Sequence, residues 1–301
     1  SPFADHWGVG DWTVLVSADE GGTWEETDDP TIPATWPGTC PRETSDRFAG
    51  VMPDGSYLCA GMWGYEAWRA ERRSEAEERG LSIRDHPGDS DQIMVNRPTL
   101  FVQRSTDAGK TWDRQEWDVP GFRGTAFSRP TVLADGTVLE PVYGSDLEGN
   151  SGAYVWRGSN GGRSWRLHLM GALGDETAFV EVSPGRVLAL SRTAGDESGG
   201  YLVEMWSDDG GITWSEALST DVWTPNSPPY LLKLRDGRLL LSHGYRRDPM
   251  GIRAVLSHDG GETWDTDNTV VLRDDGGYPS QLWEDRTGGG AYDIGYPHST
   301  Q

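Results

Sequence analysis

Ser207-Asp208-Asp209-Gly210-Gly211-Ile212-Thr213-Trp214 is the stretch on which the fold turns, because the chain repeats it. Ser17 to Trp24, Ser105 to Trp112 and Ser257 to Trp264 carry the same Ser-x-Asp-x-Gly-x-Thr-Trp order, through Asp19, Asp107 and Asp259. A compressed copy runs from Ser159 to Trp165, with Asn160 near the Asp position. Each residue type has a local job. Asp accepts hydrogen bonds from turn backbone, Gly supplies positive φ, Thr suits a strand, and Trp fills the space between neighbouring layers. Apolar runs such as Leu100-Phe101-Val102 and Ala254-Val255-Leu256 precede the box, so each copy reads as a tight turn between two strands.

Working outward, a second repeat keeps register with the first. Asp54-Gly55, Asp135-Gly136, Pro184-Gly185 and Asp236-Gly237 each divide two apolar runs, the mark of a hairpin turn. From Asp135 to Ser159 is 24 residues, from Pro184 to Ser207 is 23 and from Asp236 to Ser257 is 21. Each unit therefore reads as four antiparallel strands, the blade of an all-β propeller. Asp54 to Ser105 is 51 residues, which leaves room for an insertion at about 64–90. Glu66 to Arg79 is rich in Glu, Arg and Ala, pairs Glu75 with Arg79 at i,i+4 and stops at Gly80, so it is expected as a surface helix. The first box lacks an upstream hairpin and the last unit opens near Asp293, so the expectation is a ring short of a few strands at both ends. Residues 1–301 are read as one domain.

Composition limits the function. With 26 Lys and Arg against 48 Asp and Glu, the net charge is −22, which argues against nucleic acid and anionic membrane surfaces as partners. No run approaches the roughly 18 apolar residues of a membrane span. Cys40 and Cys59 fit either one disulfide or two thiols, and compartment cannot be read from them. The six His show no metal-ligand spacing, so neither metal nor cofactor is expected.

The box repeat resembles that of the sialidase (neuraminidase) superfamily over nearly the whole chain, which implies a six-bladed β-propeller. The boxes of that family lie at the blade periphery, so activity has to come from the loops between them. Three segments extend the resemblance. Asp175-Glu176 to Arg192 is similar to the segment in which a catalytic Glu precedes, by one hairpin, an Arg of the carboxylate-binding triad. This implies Glu176 as partner of the nucleophile, with Glu181 its rival, and Arg192 as a triad member. His243 to Arg253 resembles the loop that supplies another triad Arg, with Arg246 first and Arg247 and Arg253 as competitors. Asp293-Ile-Gly-Tyr296 resembles the context of the catalytic Tyr, and Gly277-Tyr278-Pro-Ser is a near copy upstream. The family's first triad Arg falls before Ser1; its acid Asp is implied at Asp5, with Asp11 second. Arg129, in Phe127-Ser-Arg129-Pro, is assigned a structural or substrate-rim role.

These residue types suit one reaction. The anomeric carbon of a sialic acid bears a carboxylate, which repels an anionic nucleophile; a Tyr activated by Glu avoids that repulsion. Arg binds the carboxylate bidentately and supplies the positive potential that the chain otherwise lacks. The implied activity is a retaining exo-glycosidase acting on a terminal acidic sugar of a glycan. The alternatives are a superfamily glycosidase or lyase acting on another sugar, and a non-catalytic carbohydrate-binding propeller.

Overall fold

The computed structural model describes residues 14–16, 19, 23, 25–27, 48–86, 89–107, 111–126, 129–193, 200–247 and 249–274. Strands β1 (Val14–Val16) and β2 (Glu25–Thr27) flank the first box as a hairpin. The second sheet holds β3 (Phe48–Val51), β4 (Tyr57–Arg69), β5 (Ser82–Asp85), β6 (Gln92–Ser105) and β7 (Asp113–Asp118). In the third are β8 (Arg123–Thr125), β9 (Thr131–Val132), β10 (Val138–Ser145), β11 (Ser151–Ser159) and β12 (Ser164–Gly171). The fourth runs β13 (Thr177–Ser183), β14 (Arg186–Ser191), β15 (Tyr201–Ser207), β16 (Leu218–Trp223). The fifth runs β17 (Pro229–Lys233), β18 (Leu239–Tyr245), β19 (Gly251–Ser257), β20 (Val270–Arg273). All their pairings are antiparallel. The protein is thus all-β among its described residues, apart from short helical turns.

Turn chemistry builds the repeat. Asp209 accepts from the Thr213 amide at 2.9 Å and from its hydroxyl at 2.5 Å, and Asp19, Asp107 and Asp259 bind Thr23, Thr111 and Thr263 alike. The compressed copy departs from this: Asn160 takes φ of 52°. It is clasped from outside, since the Arg104 guanidinium on β6 donates to the Gly161 carbonyl. On β11, Arg157 does the same for the next sheet, donating to the Gly210 carbonyl at 2.8 Å.

The core lies between sheets. Leu133, Leu139 and Val155 of the third sheet pack on Phe179, Val187 and Met205 of the fourth, with Trp214 of the fourth sheet's box against them. Leu188 and Leu190 pack on Leu231, Leu239 and Val255 of the fifth sheet, with Trp264 buried among them. The box glycine makes that approach possible. A Cβ on Gly211 would stand 2.7 Å from a Leu139 methyl, and one on Gly261 would stand 2.5 Å from Leu188, both at positive φ. These two boxes therefore close their own sheets and seal the preceding ones.

The insertion differs from expectation. The helix α1 covers Arg73–Glu78 alone, while Glu66 to Arg69 continue β4, which pairs with β6 as far as Arg69–Gln92. Strand pairing has overridden helix-favouring composition there. Glu75 still meets Arg79 at 3.6 Å and Arg72 at 2.8 Å, and Gly80 follows at φ 67°. Cys59 is buried on β4, and Cys40 lies outside the described residues.

Candidate functional site

The hairpins β9–β10, β13–β14 and β17–β18 close at their Gly turns on one side of the molecule. Ala134, in the first of these turns, donates to Glu181 near the second at 2.7 Å, and Lys233, near the third, donates to the Val182 carbonyl at 2.6 Å. Their open ends therefore share the opposite side. Arg129 leads into β9 there, Asp175 and Glu176 into β13, and Arg192 and Arg246 follow β14 and β18.

Asp175, Glu176 and Arg192 meet at the open end of β13–β14. Reciprocal backbone bonds, Asp175 N to Arg192 O at 2.9 Å and Arg192 N to Glu176 O at 3.0 Å, lock the two chain segments together. Arg192 then binds Asp175 through a fork, Nε to Oδ1 at 2.9 Å and Nη2 to Oδ2 at 2.8 Å. Its Nη1 lies 2.8 Å from Glu176 Oε2. The Glu176 side chain is only 2% exposed, so its charge sits in a poorly solvated place beside that cation. Beneath the pair, the Thr177 and Ser191 hydroxyls lie 2.9 Å apart.

Glu181, the rival glutamate, is spent on structure. Its carboxylate accepts from Ala134 N at 2.7 Å and Gly185 N at 2.9 Å, at the closed ends. Asp175 is the residue that sequence reasoning missed; its signal was the adjacent acidic pair opening a strand seventeen and sixteen residues before an Arg.

The other expected residues take four different placements. Arg129 Nη1 lies 3.3 Å from the Tyr230 hydroxyl on β17, a contact that crosses the intervening β13–β14 sheet. Arg246 is half-buried, and its Nη1 donates to the Asn226 carbonyl at 2.6 Å. Arg253 is buried on β19 and lines a cavity beside Tyr245 and Trp223. Tyr296, Tyr278, Asp5 and Asp11 lie outside the described residues. Among the described residues there is no cluster of three metal-ligating side chains. No helix there is long and apolar enough to cross a membrane.

Comparison with known proteins agrees with this frame. A sialidase of Bacteroides fragilis (strain YCH46) is 27% identical over 205 residues, covering 62% of this chain and 37% of that one. The chain thus spans well under half of that relative's length. A protein of unknown function from Dyadobacter fermentans DSM 18053 has a similar structure, with a TM-score of 0.57 at 24% identity, covering 76% of this chain and 64% of that one. The Hadza microbial sialidase Hz136 matches with a TM-score of 0.57 at 22% identity, over 87% of this chain and 52% of that one. The fold is thus like that of a known sialidase. Residues 83–301, most of the chain, match the family model described as the BNR repeat-like domain, and the chain belongs to that family.

Proposed function

We propose that the sheets belong to a six-bladed propeller, one domain over residues 1–301, and that its open-end face hydrolyses a terminal sialic acid or related acidic sugar with retention. The observation that carries this reading is the buried Asp175–Arg192–Glu176 cluster on a first hairpin. The Arg129–Tyr230 contact supports the ring, because first-hairpin residues from sheets either side of a third meet only if those hairpins converge. Arg192 and Arg246 bind the sugar carboxylate, with Arg129 at the rim. Glu176 takes the proton of the nucleophilic Tyr as its oxygen attacks the anomeric carbon. Asp5 protonates the departing oxygen, then deprotonates the water that releases the sugar, and Glu176 returns the proton to the Tyr oxygen.

Two tyrosines compete for the nucleophile. Tyr296 has the Asp-Ile-Gly lead-in. Tyr278 stands five residues after β20, as Glu176 stands five residues after β12. The test is hydrolysis of a fluorogenic sialoside by the full-length protein beside Tyr296→Phe, Tyr278→Phe and Glu176→Gln. Turnover lost in one Tyr variant identifies the nucleophile. Lack of turnover in the intact protein overturns the hydrolase reading.

A further inference from the structure

A second concave feature lies between the fourth and fifth sheets, and its lining includes none of Asp175, Glu176 and Arg192. It is a cavity of about 410 Å³, within the size range of small-molecule pockets. Trp223, from the end of β16, and Tyr245, from the end of β18, contribute aromatic surface, with ring centroids 6.0 Å apart and nearly perpendicular. His243 and Arg253 line it from paired positions on β18 and β19.

The charge balance here is unusual. Arg253 is over nine-tenths buried, and among the described residues its guanidinium donates only to the carbonyls of Ile252, Pro249 and Arg273 while lying 4.6 Å over the Tyr245 ring. No carboxylate of the described residues forms an ion pair with it. His243 does not offset that charge. Its Nδ1 lies 2.8 Å from the Gly244 carbonyl and therefore carries the proton, leaving Nε2 as an acceptor. Burial, and then Arg253, hold His243 below its usual pKa against the opposing pull of that carbonyl, so the ring is neutral at pH 7. A second cation, Arg247, lies 5.6 Å over the Trp223 ring. The carboxylate of the lining, Asp221, is exposed and screened by water.

A buried cation that pairs with no carboxylate of the described residues favours an anion, and two aromatic side chains with nearby acceptors favour the faces and hydroxyls of a sugar ring. We propose that this cavity is a second glycan site, which binds a sugar bearing a carboxylate. Arg253 meets the carboxylate, Trp223 and Tyr245 pack on the ring, and His243 Nε2 and Asp221 accept from its hydroxyls. The site needs no turnover, so it stands or falls apart from the hydrolase reading.

The test is calorimetric titration of the full chain with glucuronate, glucose and inorganic phosphate. Glucuronate is expected to bind about tenfold more tightly than glucose, the worth of one charge-assisted contact. Arg253→Met is expected to weaken glucuronate about tenfold. Should Arg253→Met fail to fold, Trp223→Leu serves instead, and is expected to weaken both sugars severalfold. Equal binding of glucose and glucuronate overturns the proposal, as does binding that the cavity variants leave unchanged. Phosphate binding as tightly as glucuronate, with Trp223→Leu silent, makes this an inorganic anion pocket and overturns it too.

Discussion

Arg192 is held by two carboxylates at once, and that determines what its replacement does. With side chains 13% and 2% exposed, Asp175 and Glu176 are adjacent acids that share one cation. Arg192→Met leaves both charges buried without it and is expected to cost about 3–5 kcal/mol, read from the denaturant midpoint. Arg192→Lys keeps the charge but not the fork that matches a carboxylate, so it is expected to fold while losing about a hundredfold in kcat/KM toward a sialoside. A lysine variant as active as the parent would remove Arg192 from the binding of the sugar. Glu176 and Arg192 were legible in the sequence because a single hairpin separates them. Asp175 was not, because its part exists only once Arg192 has folded back onto it. Arg246 and Arg253, seven residues apart, were not separable by spacing. Pairing with His243 turns Arg253 into the space between sheets, while Arg246 lies beyond the end of β18.

The box turn is the element whose chemistry was most legible, because every group it needs lies within eight residues. Asp209 shows how strongly it is engaged. Burial works to raise its pKa, yet the Thr213 hydroxyl and amide, Ser207 and the Ile212 amide bring it down to about 2. For Asp259 the Thr263 hydroxyl leads the same fall, also to about 2. Depressed folded-state values mean that the stability is present above the usual Asp value of 3.8 and is lost as pH falls toward 2. Between pH 5 and pH 2 the melting temperature of the parent is therefore expected to fall. Asp209→Ala removes about 1–3 kcal/mol of charge-assisted hydrogen bonding and lowers Tm by several degrees at pH 7. Near pH 2 the difference between variant and parent is expected to shrink. A difference that stays constant across that range would show that Asp209 acts through its shape and not its charge. The insertion was less legible than the box. Its Glu, Arg and Ala composition marks a helix, but nothing local reveals that β4 and β6 go on pairing through it. Tertiary pairing decided the boundary.

At the scale of the whole molecule, the same glycines that make the turns also set how closely successive sheets approach. Gly211 is in a turn of the fourth sheet, yet the atom a larger residue would strike belongs to Leu139 of the third. The repeat was visible in the sequence as a series of turns; that the Gly211 turn also seals its neighbour was not, because Leu139 lies 72 residues earlier. Gly211→Ala has two costs, a positive φ that disfavours a side chain and a clash with a fully buried leucine. Leu139→Ala alone opens a cavity and is expected to cost about 2–5 kcal/mol. If the two sites are coupled across the sheets, the smaller residue at 139 makes room for the new methyl. Gly211→Ala with Leu139→Ala is then expected to be more stable than the sum of the two losses predicts, by about 0.5–3 kcal/mol. Denaturant unfolding of the parent, both single variants and the double variant measures that coupling directly. Strict additivity would mean that the strain at Gly211 is confined to its own turn and that the box does not hold the sheets together.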